Sequence, residues 1–171
     1  MKNVREKGKS HERKVAALLS GWAGEKFMRT PGSGNIRHFN DKRVVSDIVA
    51  PLSIGKFPFS IECKNVEYPW ELNTYIEEKS LFFQHWKQAT DDADREGLEP
   101  MLLFTKNYRD IFMVVNADTF KKLEEIGGKV TYNNVEIHSN LIGEIVVMKF
   151  TEFLEQYKLE HIQKLAEIIL K

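Results

Sequence analysis

Hydrophobic and polar residues alternate most regularly in the stretch from Phe57 to Val66. A period of two is typical of a β-strand with one buried face. The apolar side chains point to one face and the polar ones to the other, the two sets being Phe59, Ile61 and Cys63, and Ser60, Glu62 and Lys64. A second apolar run, from Arg43 to Val49, carries Asp47 and predicts a neighbouring strand. We therefore expect Asp47, Glu62 and Lys64 to lie close together.

Apolar residues at helical spacing precede and follow this pair of strands. One helix is predicted from about His11 to Trp22, with Ser10 as its N-cap. A longer helix is predicted from about Thr74 to Glu96. Its core stripe consists of Phe82, Trp86, Ala89 and Ala93. The tryptophan of this stripe is expected to pack in the core rather than to stack on bases.

Short apolar runs separated by polar turns continue through the second half of the chain. Strands are predicted over residues 101–105, 111–115, 130–138 and 144–149, the first two as a hairpin and the third as a strand or as a hairpin around Asn133 and Asn134. Helices are predicted over about 117–126, capped by Asn116, and from Thr151 onward. This order of elements predicts an α/β (α+β) fold with helices around a central sheet.

Composition places the chain among ordinary globular proteins. Its 171 residues are 42% hydrophobic and 29% charged, which suits one domain with a substantial core. No apolar run approaches the roughly 20 residues that span a bilayer, and the basic N-terminus lacks the apolar segment of a signal peptide. The single cysteine, Cys63, excludes an internal disulfide and indicates a reducing, cytoplasmic setting. Because it belongs to the apolar face of its strand, a packing role is expected rather than a nucleophilic one.

Charge is distributed unevenly along the chain. The formal net charge is zero, yet residues 1–43 contain 11 Lys and Arg against 4 Asp and Glu, whereas the remainder contains 14 against 21. Residues 1–9 are therefore expected to form a flexible basic arm that lies along nucleic-acid phosphates. A solvated basic tail without a partner is the alternative from charge alone.

The predicted cluster of Asp47, Glu62 and Lys64 is typical of metal-assisted hydrolysis. Carboxylate oxygens suit hard cations such as Mg²⁺, and a neighbouring ammonium group can hold a water molecule and help to deprotonate it. The alternative is a structural ion pair in a DNA-binding module without catalysis. Burying unmatched acids is costly unless they are paired or metal-bound, which argues against that alternative. The five histidines are scattered without zinc spacing, so a zinc site is not expected.

Other polar positions are candidates to join this cluster. Glu12 lies one turn before the apolar residues of its helix, and it either reaches the cluster or is a glutamate favoured by the helix dipole. The segment R-T-P-G-S-G-N at 29–35 places the Ser33 hydroxyl between two glycines, which suits a phosphate, although most such loops are only turns. Gln84 and Gln88 either contact substrate or a metal-bound water, or remain on an exposed helix face.

Taken in order, these residues resemble the PD-(D/E)XK nuclease superfamily, and within it the archaeal-type Holliday-junction resolvases and their viral relatives. The matching segments, over about residues 7–115, are K-G-K-S-H-E-R-K, R-T-P-G-S-G-N, S-D-I-V-A, I-E-C-K, F-F-Q-H-W-K-Q-A and P-M-L-L-F-T-K. The resemblance implies a restriction-endonuclease-like fold, with a central mixed β-sheet of about five strands flanked by helices. Residues 1–171 would form one nuclease domain, with 116–171 as a C-terminal extension of its core.

The resemblance also implies a metal site. Asp47 and Glu62 would bind Mg²⁺, for which Mn²⁺ would substitute, together with the backbone carbonyl of Cys63. Glu12 would bind the metal directly or through water. Cys63 itself replaces the aliphatic residue that is usual at the centre of the family's E-x-K motif, and Ser46 stands where the family often has proline before the aspartate.

The remaining implications concern the substrate. Lys64 would position the attacking water, and Ser33 would contact the scissile region or its phosphate. The expected DNA contacts are Lys7, Lys9, Arg13, Arg29, Gly32, Ser33, Arg37, Gln84, Gln88 and Lys106. The implied activity is structure-selective cleavage of four-way DNA junctions inside the cell, by a homodimer because two symmetric nicks need two sites. The alternative substrate is duplex, flap or single-stranded DNA, as for a restriction or repair nuclease.

Overall fold

The computed structural model describes residues 4–30, 46–66, 77, 79–105 and 109–170. Within these ranges, five α-helices and seven β-strands are present together with a 3₁₀ turn over Leu52–Ile54. In chain order they are α1 (Val4–Ala23), β1 (Met28–Arg29), β2 (Ile48–Val49), β3 (Phe59–Asn65), α2 (Leu81–Glu96), β4 (Glu99–Thr105), β5 (Ile111–Asn116), α3 (Ala117–Gly127), β6 (Asn134–Ser139), β7 (Gly143–Lys149), α4 (Phe150–Gln156) and α5 (Leu159–Ile169).

The strands form a mixed sheet in the order β1-β2-β3-β4-β5-β7-β6. Only the central pair β3 and β4 is parallel, with Cys63 opposite Leu103, and the other described pairs are antiparallel. A parallel pair needs a long crossover, and α2 lies in that connection. The predicted fold class is therefore confirmed, with a sheet of seven strands where about five were expected. Strand β1 was not predicted, and β2 is the end of the strand predicted from Arg43 to Val49; each has only two residues.

Helices cover both faces of the sheet, and this arrangement explains the continuous apolar run of β4. Its side chains alternate between two buried clusters, Met101 and Leu103 in one and Leu102 and Phe104 in the other. The first cluster also contains the apolar face of β3 and residues of α1 and α3 to α5. The second contains Phe82, Trp86 and Ala89 from the core stripe of α2. A strand buried on both faces needs no polar alternation.

Helix α2 follows the sequence prediction closely at its C-terminal end. Phe82, Trp86, Ala89 and Ala93 are all buried, as predicted. The helix begins later than predicted, because the side chain of Ser80 accepts a hydrogen bond from the Phe83 N–H at 3.2 Å and caps it. Gly97 ends the helix in the left-handed conformation, with φ of 69°.

The first helix starts earlier than its apolar stripe indicates. α1 begins at Val4, so the prediction of Ser10 as its N-cap is wrong. Residues 4–9, predicted as part of a flexible basic arm, form its first turns. Arg, Glu and Lys have high helix propensity, and apolar spacing marks only the part of a helix that is buried.

Three details of the C-terminal half also differ from the prediction. A hairpin around Asn133 and Asn134 is not formed, because β6 begins at Asn134 and pairs with β7 across a turn at 140–142. Asn116 occupies the N-cap position of α3, but its side chain donates to Glu99 at 3.1 Å instead of capping. Thr151 does not cap the next helix, which begins at Phe150.

The single C-terminal helix of the prediction is divided into α4 and α5 at Tyr157. This residue is extended, with φ of −112° and ψ of 126°, and its side chain is fully buried. Its backbone carbonyl accepts a hydrogen bond from the indole N–H of Trp22 at 2.8 Å. A contact from α1 therefore satisfies a carbonyl that the helix break would leave open. No helix in the described part of the chain is long and apolar enough to cross a membrane.

Candidate active site

Asp47 lies immediately before β2, at the point where this short strand meets β3. Its backbone N–H donates to the carbonyl of Ile61 at 2.8 Å, and its carbonyl accepts from the N–H of Thr30 at 2.9 Å. The carboxylate reaches across β3, where Oδ2 accepts the backbone N–H of Cys63 at 2.9 Å. Asp47 is only 6% exposed. The acid predicted on the first strand is thus buried against the second one.

Glu62 and Lys64 lie on the α2 side of β3 and contact each other, as the alternating pattern predicted. The ammonium group of Lys64 donates to Oε1 of Glu62. Gln88 of α2 completes a triangle, since its Nε2 donates to the same oxygen at 3.0 Å and its Oε1 accepts from Lys64 at 3.0 Å. Gln84 is exposed and donates to the Lys79 carbonyl at 3.2 Å. Of the two glutamines, the structure brings only Gln88 into the cluster.

Burial and like charge raise the pKa of Glu62 to about 7. Desolvation is the main cause, the negative charge of Asp47 adds to it, and the Lys64 ammonium opposes both. On α2, burial and the charge of Lys64 lower the pKa of His85 to about 4, so this imidazole is neutral at physiological pH. Among the described residues, the Lys64 ammonium therefore does not offset the burial and like charge that act on Glu62.

The charges of three acids act on the Cys63 thiol. The pKa of its thiol is raised well above its usual value, first by burial and then by the charges of Asp47, Glu62 and Glu12. A buried protonated thiol packed in the core is a poor nucleophile, which agrees with the packing role predicted for it. Its backbone N–H faces Asp47, and in an antiparallel pair the N–H and carbonyl of one residue face the same neighbour. The Cys63 carbonyl thus lies on the Asp47 side of β3.

Glu12 enters the site from α1. Since α1 begins at Val4, Glu12 lies in the third turn, beyond the reach of the N-terminal dipole that was one interpretation of this residue. It is 9% exposed, and its Oε2 accepts a hydrogen bond from Nε of Arg29 in β1. Arg29, predicted to contact DNA, is therefore paired with an acid of the site. The apolar pattern of α1 did not predict the ion pair between Glu12 and Arg29.

Three of the other residues predicted to contact DNA lie on α1, and four lie outside the described residues. Lys7 and Lys9 are partly buried, and the Lys7 carbonyl accepts from the Asn65 side chain at 3.3 Å, which places the start of α1 beside the end of β3. Arg13 is exposed and pairs with Glu6 at 3.1 Å. Four predicted residues lie outside the described ranges, namely Gly32, Ser33, Arg37 and Lys106.

Two contacts near the cluster, one buried and one partly buried, had no sequence signal. His11 donates from Nε2 to the carbonyl of Leu103 at 3.0 Å and is 4% exposed, and burial lowers its pKa. Ser46 donates from its backbone and its hydroxyl to Glu96, a residue 50 positions away in the sequence. The sequence showed only that these positions are polar. Neither contact joins residues at helix or strand spacing, so the sequence pattern did not predict it.

The donor set at this site suits a hard divalent cation. In the part of the chain that the structure describes, no three His, Cys, Asp or Glu side chains are arranged to hold a metal ion. Two buried carboxylates and the Cys63 carbonyl are nevertheless all oxygen donors, and Mg²⁺ needs only one or two carboxylates with waters and substrate oxygens. A cation would also relieve the repulsion that raises the pKa of Glu62.

Comparison with known proteins agrees with this geometry. A protein-family model described as "Phage putative PDDEXK endonuclease" matches residues 3–164, including most of the segment that the sequence resemblance left uncovered. No curated protein and no solved structure gives a significant match. PD-(D/E)XK nucleases generally use divalent metals. With the Asp47, Glu62 and Lys64 cluster in place and the match spanning nearly the whole chain, the protein belongs to the phage PDDEXK endonuclease family, a family of nucleases.

Proposed function

We propose that this nuclease is a Mg²⁺-dependent, structure-selective endonuclease that cleaves four-way DNA junctions in pairs of nicks, acting as a homodimer. The proposal of metal-dependent hydrolysis rests on the buried carboxylates of Asp47 and Glu62 and on the Lys64 ammonium beside Glu62. The junction part is supported by the ordered resemblance to junction resolvases. Two symmetric nicks call for two identical sites related by a two-fold axis.

In this proposal, Asp47, Glu62 and the Cys63 carbonyl hold the cation. When bound, the cation polarises the phosphoryl oxygen and lowers the pKa of a water molecule. Glu12 lies beside the same set and would take a ligand water through its carboxylate. Arg29 pairs with this third acid inside a partly buried site.

Lys64 would orient the attacking water and stabilise the negative charge that develops on the phosphate. The water oxygen bonds to phosphorus, the bond from phosphorus to the 3′ oxygen breaks, and the leaving oxygen takes up a proton. Gln88 accepts from Lys64 and donates to Glu62, so both side chains have a defined position before substrate arrives. No cysteine or serine nucleophile is required.

A non-catalytic DNA-binding module with a structural ion pair is the competing hypothesis. In such a module, one acid for one base would suffice, whereas here the charge of Asp47 adds to the burial that raises the pKa of Glu62, and the Lys64 ammonium does not offset both. Retaining two repelling buried acids is expensive unless a cation joins them. Calorimetric titration with Mg²⁺ and Mn²⁺ distinguishes the two hypotheses, because binding that depends on Asp47 and Glu62 is expected only of the nuclease.

The substrate is tested by a panel of DNA shapes. Purified protein with Mg²⁺ is incubated with four-way junction, flap, duplex and single-stranded DNA at one salt concentration, since phosphate contacts make affinity salt-dependent. Paired nicks across the junction are expected, with Asp47→Ala inactive. Preferred cleavage of flap, duplex or single strands would establish the alternative substrate class, which the same catalytic cluster can serve. Undiminished cleavage by Asp47→Ala would refute the site.

A further inference from the structure

The dipeptide Ser46-Asp47 is held by hydrogen bonds on both of its peptide groups. The Ser46 carbonyl accepts from the hydroxyl of Thr30 at 2.7 Å, and the Asp47 carbonyl accepts from the Thr30 N–H at 2.9 Å. The Asp47 N–H donates to Ile61 at 2.8 Å. The remaining group, the Ser46 N–H, donates at 3.0 Å to Oε1 of Glu96. Every backbone polar group of the dipeptide thus has a partner, and one of these partners is a carboxylate.

Glu96 binds Ser46 through more than its backbone. The Ser46 hydroxyl lies 3.1 Å from Oε1 and 3.2 Å from Oε2 of Glu96. Ser46 is 7% exposed, and a hydrogen bond to an ionised acceptor is about twice as strong as a neutral one. Proline, frequent at this position in related nucleases, has no N–H to donate, so this backbone bond is possible here only because the residue is not proline.

The position of Glu96 on its own helix does not explain its presence. It is the last residue of α2, where the helix dipole disfavours a negative charge. Eight residues earlier, Gln88 of the same helix binds Glu62 and Lys64. Helix α2 therefore contacts both halves of the cluster, β3 through Gln88 and the residue before Asp47 through Glu96.

We propose that Glu96 is a positioning residue for Asp47, holding the Ser46 peptide so that the Asp47 carboxylate meets the Glu62 carboxylate in a metal-binding arrangement. The inference rests on the proposed function, because it assigns Asp47 a metal. The Asp47 side chain is short, and its Oδ2 accepts the Cys63 N–H. A shift of the Ser46 peptide would therefore move the carboxylate itself.

The test compares variants of Glu96 with a matched control. In Glu96→Ala, the affinity for Mn²⁺ and Mg²⁺, measured by calorimetry, is expected to fall roughly 10- to 100-fold, as for other groups that orient metal ligands. Glu96→Gln keeps an acceptor for Ser46 and is expected to restore most of the affinity. Glu124→Ala, on α3, removes a similar bond, which Oε1 accepts from the Val130 N–H at 3.0 Å, and is expected to leave metal affinity unchanged.

The results separate this inference from the proposed function. If the wild-type protein binds no divalent metal, the proposed function fails and the role of Glu96 fails with it. If the wild type binds metal and cleaves DNA while Glu96→Ala binds metal equally tightly, only the positioning role is overturned. A merely structural role predicts a lower melting temperature in Glu96→Ala with unchanged metal affinity, as expected of Glu124→Ala.

A second set of measurements covers the case in which Glu96→Ala does not fold. Ser46→Ala retains the backbone bond and loses the two hydroxyl bonds, and a weaker loss of metal affinity in the same direction is expected. Amide hydrogen exchange at Ser46 should be slow in the wild type and in Glu96→Gln. Fast exchange of the Ser46 amide in the wild type, or unchanged metal affinity in Ser46→Ala, would overturn the proposal.

Discussion

The raised pKa of Glu62 predicts that replacing this acid by glutamine stabilises the metal-free protein at high pH. The side chain is 7% exposed, and its pKa moves from 4.5 to about 7 on folding. Between these values the folded state binds more protons than the unfolded state, so the contribution of Glu62 to stability decreases as the pH rises. A shift of this size corresponds to about 3 kcal/mol, at 1.36 kcal/mol for each pH unit.

Other groups affect the pH dependence of the wild type, so the variant provides the comparison. The lowered pKa of His85, about 4, acts in the opposite direction, because the unfolded state then binds the extra proton and stability rises between pH 4 and 6.5. The difference in unfolding free energy between Glu62→Gln and wild type cancels this effect. We expect that difference to shift in favour of the variant by about 3 kcal/mol from pH 4.5 to pH 8.

Urea unfolding followed by far-UV circular dichroism, in EDTA and at both pH values, measures this difference. A difference that is the same at pH 4.5 and pH 8 would refute the assignment of a raised pKa to Glu62. Adding Mg²⁺ at pH 8 supplies a second check, since a metal at 100 times its Kd stabilises a folded protein by about 2.7 kcal/mol. That gain is expected in the wild type and should be largely lost in Glu62→Gln.

Three further substitutions have defined outcomes. Lys64→Met should lower kcat about 100- to 1,000-fold, as expected for loss of one charge-stabilising donor, while calorimetry still detects Mg²⁺ binding; an unchanged kcat would exclude Lys64 from the reaction. Gln88→Ala should lower activity roughly 10- to 100-fold, because Lys64 and Glu62 both lose a partner, and single-turnover cleavage would measure it. Cys63→Ala should retain cleavage, since only the Cys63 carbonyl is proposed as a ligand, and should lose about 1–2 kcal/mol in urea unfolding; complete inactivity of the folded variant would contradict a purely packing role for the thiol.

Several elements could be predicted because their signals are local. The alternation of β3 placed Cys63 in the core and Glu62 with Lys64 on the other face, and both placements are confirmed. The helical spacing of the stripe that contains Trp86 predicted the buried face of α2, and that prediction is also confirmed. Boundaries were less accurate where polar helix formers extend a helix, as at the start of α1, or where a helix breaks and a distant residue binds the open carbonyl, as Trp22 does at Tyr157.

By itself, the sequence determined the sheet with its covering helices and the three charged residues at its centre, because the period of two depends only on neighbours along a strand. Tertiary structure alone decided how that centre is supported. Arg29 meets Glu12 over 17 positions, Gln88 meets Lys64 over 24, and Glu96 meets Ser46 over 50. Such contacts depend on how α1 and α2 pack against the sheet, and no local pattern of apolar residues encodes which polar side chains those helices bring to it.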